Sequence, residues 1–314
     1  MGDHALKLYF NYSLDCETPV NTEYTGGMER ESFFNGPDDW DAAEASVRGF
    51  AKQMQALGVI EGASLFVYPD VARHQKVLYC EMADMGIEVG LHLNGMRYSK
   101  LTGDDAKWLG SMSDDEQREA LRMGKEDLEE SLGREVQGYR ACYGSANLHT
   151  LGICHDVGFT WTSNASNRHR PEFHSYWADS YRYTHHADAE SNLVCGDLPL
   201  VEIPLTVGIT VMFDEAIQHP LDLRAETTVD RVGENRERLR AVIEENLEDM
   251  EKQSIPLRTI IGGSHNTNPF GSESDFRAQN LDWVVRHTRE LADERGLKFT
   301  PASFGTICDE VVPR

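Results

Sequence analysis

Side chains that can carry out hydrolysis stand at the predicted carboxyl ends of four strands. The residue types are two carboxylates, two histidines and one arginine, which together suit a hydrolase that uses a bound cation. They are Asp15 and Glu17 after the first strand, His92 near the end of IEVGLHLN, Arg140 after EVQGY and His265 after the pair Gly262-Gly263. In α/β barrels the chemistry is found at these strand ends, so these side chains are the first candidates for a site.

Period-two alternation decides which way these groups point. In LKLYFNYSLDCE the apolar side chains alternate with a second set, as in a strand with one face against a core. Asp15 and Glu17 therefore share a face, just before the turn-forming Pro19. In IEVGLHLN, His92 and Asn94 likewise share the face opposite the two leucines. Both strands thus end with polar groups directed to one side of the predicted sheet.

Strands and helices alternate at short spacing along the chain. Helical periodicity follows several apolar strands, for example in DAAEASVRGFAKQMQALG and in SMSDDEQREALRMGKEDLEESLG, where Ser113 is a good N-terminal cap. This alternation favours parallel strands covered by helices, and about seven strands suit a barrel better than an open sheet. We predict an α/β fold, a (β/α) barrel, as a single domain over residues 1–314. Strands after the first are predicted at 63–69, 87–94, 135–144, 159–164, 200–207 and 258–265 and in LKFTPAS, with a long irregular region between 164 and about 197.

The composition is that of a soluble protein with an acidic surface. The net charge of -23 argues against a nucleic-acid partner, and no apolar run of about 18 residues is present to span a membrane. The N-terminal segment MGDHALKLYF lacks the layout of a secretory signal, so we expect a cytoplasmic location. The six cysteines form no CxxC pair, which argues against a structural zinc site. The sequence leaves open whether the chain forms a homo-oligomer and whether its acidity reflects a salt-adapted host.

Five segments in a fixed order carry a resemblance to a known family. They are YSLDCE, ALGVIEGASLFVYP, MADMGIEVGLHLNG, LGREVQGYRACYGSANLHTLGICHDVGFTWTSN and IIGGSHNTNPFG. In this order and at this spacing, over most of its length, the chain resembles the polysaccharide deacetylase superfamily (carbohydrate esterase family four, with the NodB-like domain). The resemblance implies a distorted (β/α) barrel of about seven strands. It also implies hydrolysis of an amide C–N bond at a divalent cation, often with removal of an acetyl group from an amino sugar.

The resemblance implies roles for four residues around the reacting bond. Asp15 resembles the general base that activates water, and Arg140 resembles the residue that orients this base. The main-chain N–H of Tyr143 resembles an oxyanion donor, and His265 resembles the general acid that protonates the leaving amine. A base and an acid on opposite sides of the bond, with a fixed N–H for the developing oxyanion, are consistent with amide hydrolysis.

The metal ligands implied by the resemblance are incomplete in this sequence. Glu17 and His92 resemble ligands of a divalent metal, with zinc as the expected ion. The family's motif has a second histidine four residues after the first, where this chain has Met96, a soft and weak ligand. Three interpretations stay open: Asn94 replaces the missing ligand, a distant histidine reaches the site, or no metal binds. The distant candidates are His149, His174, His185 and His186.

Two further features have both a functional and a structural interpretation. The segment 168–197 is rich in aromatic residues, and Tyr176, Trp177 and Tyr181 are candidates to contact substrate or, equally, to pack over the barrel mouth. Cys142 stands where the family has a proline, which leaves the following loop less constrained. This cysteine is a candidate nucleophile, although a buried structural thiol is the commoner case.

The prediction for function is a hydrolase of carbon–nitrogen bonds other than peptide bonds, acting on a small-molecule or glycan substrate such as an N-acetylated sugar. A first alternative is an allantoinase- or imide-like hydrolase of a small metabolite that needs no metal, which the missing export signal supports. A second is a non-catalytic carbohydrate-binding member. Met96 keeps that alternative open, whereas Asp15, Arg140 and His265 argue against it, because binding alone does not need an acid facing a base.

Overall fold

A curled sheet of nine strands forms the centre of the protein. The structure, a computed structural model, describes residues 6–20, 36–95, 107–226 and 232–311. The strands are β1 (Lys7–Cys16), β2 (Ala63–Val67), β3 (Glu88–Leu93), β4 (Gly138–Ala141), β5 (Trp161–Thr162), β6 (His169–Arg170), β7 (Ser175–Tyr176), β8 (His185–His186), β9 (Val201–Glu202), β10 (Val207–Asp214), β11 (His219–Asp222), β12 (Arg258–His265) and β13 (Lys298–Pro301). Strands β6–β7 and β10–β11 form separate two-stranded sheets.

Seven parallel strands form the body of this sheet, in the order β12, β1, β2, β3, β4, β5, β9. Strand β8 adds antiparallel to β9, and β13 pairs with β1. The two edges of the sheet then meet. The N–H of Thr206 donates to the carbonyl of Ile261 on β12, and the N–H of Ile261 donates to Oγ1 of Thr206, both at 2.9 Å. The predicted fold, a distorted (β/α) barrel of about seven strands, is confirmed.

Helices follow the strands, as the alternation in the sequence predicts. Within the described residues they are α1 (Trp40–Ala56), α2 (Pro69–His74), α3 (Lys76–Asp84), α4 (Asp114–Leu132), α5 (Thr150–Val157), α6 (Val232–Lys252), α7 (Phe276–Glu294) and α8 (Phe304–Asp309). The predicted cap of α4 is confirmed: Ser113 and Glu116 form a capping box, and Gly133 ends the helix at φ 69°. None of these helices combines the length and apolar character that a bilayer crossing requires.

Alternate side chains of β1 pack on opposite faces of the sheet. Leu8, Phe10, Tyr12 and Leu14 pack outward into the main core with the helices. The intervening side chains belong to the barrel interior, where an apolar cluster fills the lower part; it includes Tyr9, Phe66, Trp161, Val201, Ile203, Ile261, Phe304 and Ile307. The upper part of the interior is polar. Burial of the apolar floor therefore fixes the strands whose ends carry the candidate catalytic side chains.

The structure differs from the sequence prediction around residues 200–222. The predicted strand 200–207 is reduced to β9, since Pro204 has no N–H to continue the ladder. The β10–β11 hairpin was missed by the sequence analysis, because its connection lacks the Asn-Gly or Asp-Gly signal of a tight turn. The region predicted as irregular contains the short strands β6, β7 and β8.

Candidate active site

A cavity of about 580 Å³ opens at the carboxyl ends of the barrel strands. Most of the candidate residues identified from the sequence line it, including both predicted proton-transfer groups. Its lining includes Asp15, Glu17, His92, Arg140, Cys142, Tyr143, Asn164, Arg168, Arg170, Phe213, His219, Asp222, Arg224, Glu226 and His265. The cavity thus gathers ionisable groups from β1, β3, β4, β12 and the loops that follow them.

The carboxylate of Asp15 is held by Arg140. Nη1 of Arg140 donates to Oδ1 of Asp15 at 2.9 Å and to Oγ of Ser13 at 2.7 Å. The rest of the guanidinium is fixed by Ser163, whose carbonyl and hydroxyl accept from Nε and Nη2 at 2.9 Å each. The group also lies 3.9 Å from the ring centre of Phe66, on the apolar floor. Arg140 is therefore a rigid positioning residue with its donors committed.

Asp15 is ionised despite its burial. Burial raises the pKa of its carboxyl, but the positive charges of Arg140, His92 and His265 outweigh this, so the pKa lies below its ordinary value. The side chain keeps 18% of its surface exposed to the cavity. An ionised carboxylate that is fixed by Arg140 and open to the cavity can accept a proton from water.

His265 stands beside Asp15 and is oriented by a residue that the sequence analysis missed. Asp15 and His265 are register partners on the neighbouring parallel strands β1 and β12. Nδ1 of His265 lies 2.7 Å from Oε1 of Glu226. The other carboxylate oxygen of Glu226, Oε2, accepts hydrogen bonds from Ser264 and Asn268. Burial lowers the pKa of His265, but Glu226 outweighs it, so the pKa is raised above its ordinary value. Glu226 thus favours the protonated imidazole that a general acid requires.

Three buried side chains converge at the inner wall of the cavity. Ligand atoms of Glu17, His92 and Cys142 all lie within 4.8 Å of one another. Nδ1 of His92 is 2.9 Å from the carbonyl oxygen of Arg140; since a carbonyl can only accept, Nδ1 carries a proton and Nε2 is directed to the cluster. Nε2 lies 3.4 Å from Oε1 of Glu17. A main-chain carbonyl behind a histidine is the usual way to orient a metal ligand.

The loop after β4 is held in a tight, left-handed turn. Tyr143 has φ 56° and Gly144 has φ 65°, two successive residues in a region that side chains disfavour. The indole N–H of Trp177 donates to the carbonyl of Gly144 at 2.6 Å and fixes this turn. Tyr143 lines the cavity, where the resemblance places an oxyanion donor; that role stays a prediction. A non-glycine residue at positive φ costs about 1 kcal/mol or more, a strain common at functional sites.

Asn164 adds a polar group that the sequence analysis did not identify. Its Oδ1 accepts from the N–H of Ala141 at 2.7 Å, which fixes the orientation of the amide. Nδ2 is then buried without a hydrogen-bond partner among the described residues, although Asn164 lines the cavity. An atom this buried is not open to a ligand, and the side chain instead acts on the buried carboxyl of Glu202, whose pKa it helps to lower against the effect of burial.

The chain is similar to known proteins in part of its sequence and in its fold. Residues 41–162 match the family model described as polysaccharide deacetylase, and no curated protein matches the chain. A Mycobacterium smegmatis structure assigned to the polysaccharide deacetylases has a TM-score of 0.58 at 18% identity, covering 100% of this chain and 95% of that one. The Puue allantoinase has a TM-score of 0.60 at 14% identity, covering 98% and 91%. A Pseudomonas aeruginosa PAO1 structure assigned to the same family has a TM-score of 0.58 at 15% identity, covering 97% and 90%.

Residues 41–162 are thus similar in sequence to the polysaccharide deacetylase family, and the chain as a whole shares its fold with these solved structures. At these identities the solved structures show a shared fold. The segment that matches the family model contains His92, Arg140 and Cys142, whereas Asp15 and His265 lie outside it. Because β1 lies beside the matched strand β2 and β12 lies beside β1, the fold brings Asp15 and His265 to the same cavity.

Glu17, His92 and Cys142 fit a zinc-type ion. In a tetrahedral site with nitrogen and oxygen ligands about 2.0–2.2 Å from zinc, neighbouring ligand atoms lie about 3.4 Å apart. The distance from Nε2 of His92 to Oε1 of Glu17 is 3.4 Å. A thiol, an imidazole and a carboxylate suit zinc, cobalt or ferrous iron better than magnesium or calcium. Burial raises the pKa of the Cys142 thiol, and a bound metal would favour the thiolate.

Several predicted residues lie outside the lining of this cavity. Asn94 is buried directly after β3 and is not in the cavity lining, so its role as a ligand stays a prediction. Met96 lies outside the described residues. Trp177 is fully buried, and neither it nor Tyr176 and Tyr181 is in the cavity lining. Their predicted contact with substrate therefore gains no support from this cavity and stays untested.

The distant histidines do not reach the three-residue cluster. His149 pairs with Asp114 near the surface, His185 bonds the carbonyl of Tyr183, and His186 bonds the carbonyl of Leu198. These three, like His174, are absent from the cavity lining. Cys142 instead offers a third potential ligand atom beside Glu17 and His92. Its position two residues after Arg140, on the same face by period-two alternation, is a signal that could have identified it.

Proposed function

We propose that this protein hydrolyses the amide bond of a small N-acylated compound, such as an N-acetylated sugar or a related amide. One observation carries the proposal: Asp15 and His265 are register partners at the mouth of one cavity, and each is fixed by its own charged partner. A carboxylate kept ionised beside an imidazole kept protonated is a base–acid pair suited to breaking a C–N bond.

In the proposed reaction Asp15 accepts a proton from the water that attacks the carbonyl carbon. As the new C–O bond forms and the C–N bond breaks, Nε2 of His265 gives its proton to the leaving nitrogen. Arg140 keeps Asp15 in position, and Glu226 keeps His265 protonated. The N–H of Tyr143, a residue that lines the cavity, is the donor proposed for the carbonyl oxygen.

Glu17, His92 and Cys142 would hold a divalent metal beside this pair. When bound, such an ion would supply Lewis-acid polarisation of the carbonyl group and of water. The oxygen ligand, Glu17, and the nitrogen ligand, His92, follow from the family resemblance, whereas the sulfur ligand, Cys142, is particular to this chain. The thiol is thus proposed as a ligand; its high pKa makes it a poor nucleophile without a metal.

A small metabolite is favoured over a long polymer by the shape of the site. The β10–β11 hairpin contributes Phe213, His219 and Asp222 to the wall of the cavity, which gives a pocket of about 580 Å³. Pockets of this size bury most of a small ligand. This observation keeps the allantoinase-like alternative, a hydrolase of a small cyclic amide, as the second candidate function.

Replacement of Asp15 tests whether the chain is an enzyme or a binding protein. We expect wild-type protein to release acetate from N-acetyl sugars or to open the ring of small cyclic amides, either of which proton NMR can follow. Asp15→Asn should lower turnover by about 100-fold or more while substrate affinity persists, because the base is lost and the cavity is kept. Binding of a panel member without turnover in wild-type protein would establish the non-catalytic alternative instead.

A further inference from the structure

One wall of the cavity is positively charged, although the chain as a whole has a net charge of -23. Arg168, Arg170 and Arg224 all line the cavity, separate from Arg140, which is committed to Asp15 and two serines. Arg168 and Arg170 come from the strand β6 region, and Arg224 follows β11. Two segments distant in sequence therefore deliver guanidinium groups to the same side of the site.

Two of the three arginines share one carboxylate. Arg224 binds Asp222 through Nε at 2.8 Å and through Nη2 at 2.6 Å, a two-point contact. Nη1 of Arg168 lies 3.8 Å from the same carboxylate, and Nη2 of Arg168 lies 3.2 Å from Nδ1 of His219. Burial lowers the pKa of His219 to about 4, and Arg168 adds to this effect, so the imidazole is neutral. Asp222 is thus shared by two cations, and the charges of Glu226 and Asp15 also stabilise Arg224.

Arg170 has weaker compensation among the described residues. Its nearest carboxylate oxygen belongs to Glu172 and lies 3.9 Å from Nε, on a side chain that is 57% exposed. The guanidinium lies 4.3 Å from the ring centre of Phe173 and 5.0 Å from that of Tyr143, and these two rings are stacked on each other. The aromatic rings fix the group without neutralising it.

The three cations repel one another in this wall. Burial lowers the pKa of Arg168 to about 9, and the charge of Arg170 adds to the effect. Burial likewise lowers the pKa of Arg170, with Arg224 as the next cause. A wall with surplus positive charge and partly buried guanidinium groups is stabilised when an anion enters it.

We propose that the substrate of this site is an anionic amide, whose carboxylate or phosphate group binds Arg170, with Arg168 beside it, while the amide bond faces Asp15 and His265. The proposal rests on the proposed function, since both use one cavity, and it adds the charge of the substrate. Tyr143 connects the arginine-lined wall with the cluster of Glu17, His92 and Cys142. Its ring contacts Arg170, and it directly follows Cys142 in the chain. A neutral polysaccharide would leave this charged wall without a partner.

A structural role is the competing explanation for part of the cluster. Asp222 ends β11, so its contacts with Arg168 and Arg224 also anchor the β10–β11 hairpin. Arg170 is not among the hydrogen-bond or ion-pair partners of Asp222, so it separates the two explanations. Arg170→Gln removes the charge and keeps a polar side chain, and Arg134→Gln, at an exposed pair with Asp84, is the matched control.

The test compares matched neutral and anionic amides by ligand-observed proton NMR, which reports binding and acetate release in one experiment. The probes are N-acetylglycine against N-acetylglycinamide, and N-acetylglucosamine 6-phosphate against N-acetylglucosamine. The first pair tests a carboxylate and the second a phosphate. We expect the anionic member of at least one pair to bind about tenfold tighter or better, since a hydrogen bond between charged groups contributes about 1.5–3 kcal/mol.

Arg170→Gln should abolish this preference and Arg134→Gln should retain it. Equal binding of both members of each pair, no binding of any anion at millimolar concentration, or a preference unchanged in Arg170→Gln would each overturn the proposal. Failure of the proposed function is distinct: it would appear as anion-selective binding without acetate release. Acetate release without a charge preference would instead retain the hydrolase and remove the anion site.

Discussion

Nδ1 of His265 donates to Oε1 of Glu226 at 2.7 Å, and Glu226 lies in the loop that follows the β10–β11 hairpin. The contact joins β12, which carries the predicted general acid, to a part of the chain outside the matched family segment. It leaves Nε2 of His265 as the nitrogen available to the cavity. The protonation state of the predicted acid is therefore controlled by a residue that no sequence motif indicated.

Replacing Glu226 should change the titration of His265. In Glu226→Gln the imidazole loses the negative charge that raises its pKa, while burial still lowers it, so the midpoint should move to lower pH. NMR titration of the His265 ring, assigned with His265→Gln, measures this directly. In an active enzyme the alkaline limb of the rate profile should move the same way, because the acid must be protonated. An unchanged midpoint, matching that of the exposed control Glu215→Gln, would contradict the assigned role of Glu226.

Cys142 should bind metal through its sulfur. Protein loaded with cobalt is expected to show a near-ultraviolet sulfur-to-cobalt charge-transfer band and about one equivalent of metal. Cys142→Ser should lose the band and most of the metal, and Glu17→Gln should lose metal as well. The half-buried thiol of Cys80 offers the matched control, Cys80→Ser. If Cys142→Ser keeps its metal while Asn94→Ala loses it, the ligand predicted from the sequence would replace the thiol.

Arg140 should be essential for stability as well as position. Arg140→Gln leaves the carboxylate of Asp15 without its cation and is expected to lower the free energy of unfolding by about 3–5 kcal/mol, measured by urea denaturation. Adding Asp15→Asn to Arg140→Gln removes the unpaired charge of Asp15. The double variant should therefore recover part of the lost free energy of unfolding. Additive effects in this cycle would show that the ion pair does not couple the two residues.

Glu88 should give the protein a pH-dependent stability that is separate from catalysis. Its carboxylate accepts from the N–H groups of Phe304 and Gly305, and burial raises its pKa from 4.5 to about 7. A raised carboxyl pKa means that the folded state binds the proton more tightly. The contribution of Glu88 to the free energy of unfolding is therefore fully present below about pH 4.5 and is lost as the pH rises through about 7.

Comparing wild-type protein with Glu88→Gln isolates the contribution of Glu88 to the pH dependence of stability. Between these pH values the free energy of unfolding of the wild type should fall by about 3 kcal/mol relative to the variant. Urea denaturation across the range measures the difference. A constant difference between the two proteins over the whole range would mean that Glu88 keeps an ordinary pKa in the folded state.

Parts of the site could be predicted because they depend on local sequence. The alternation in β1 places Asp15 inward, and the position of His265 at the end of β12 places it at the same edge of the barrel. The capped helix α4 and the parallel strand order follow from periodicity and short connections. Strand period and helix signals are properties of neighbouring residues, so one sequence is enough to determine them.

The tertiary structure alone decided which distant groups became partners. Glu226 and His265 are 39 residues apart, and Cys142 joins Glu17 and His92 only because β4 lies beside β3 and its exit loop turns inward. Arg168 and Arg224 meet at Asp222 through a hairpin that has no tight-turn signal. Such contacts depend on loop paths and on the closure of the barrel, which a pattern of single residues does not encode. The sequence by itself therefore determined the framework and placed Asp15 and His265 at one edge of it, whereas folding brought Cys142 to Glu17 and His92, Glu226 to His265, and the arginines to the cavity wall.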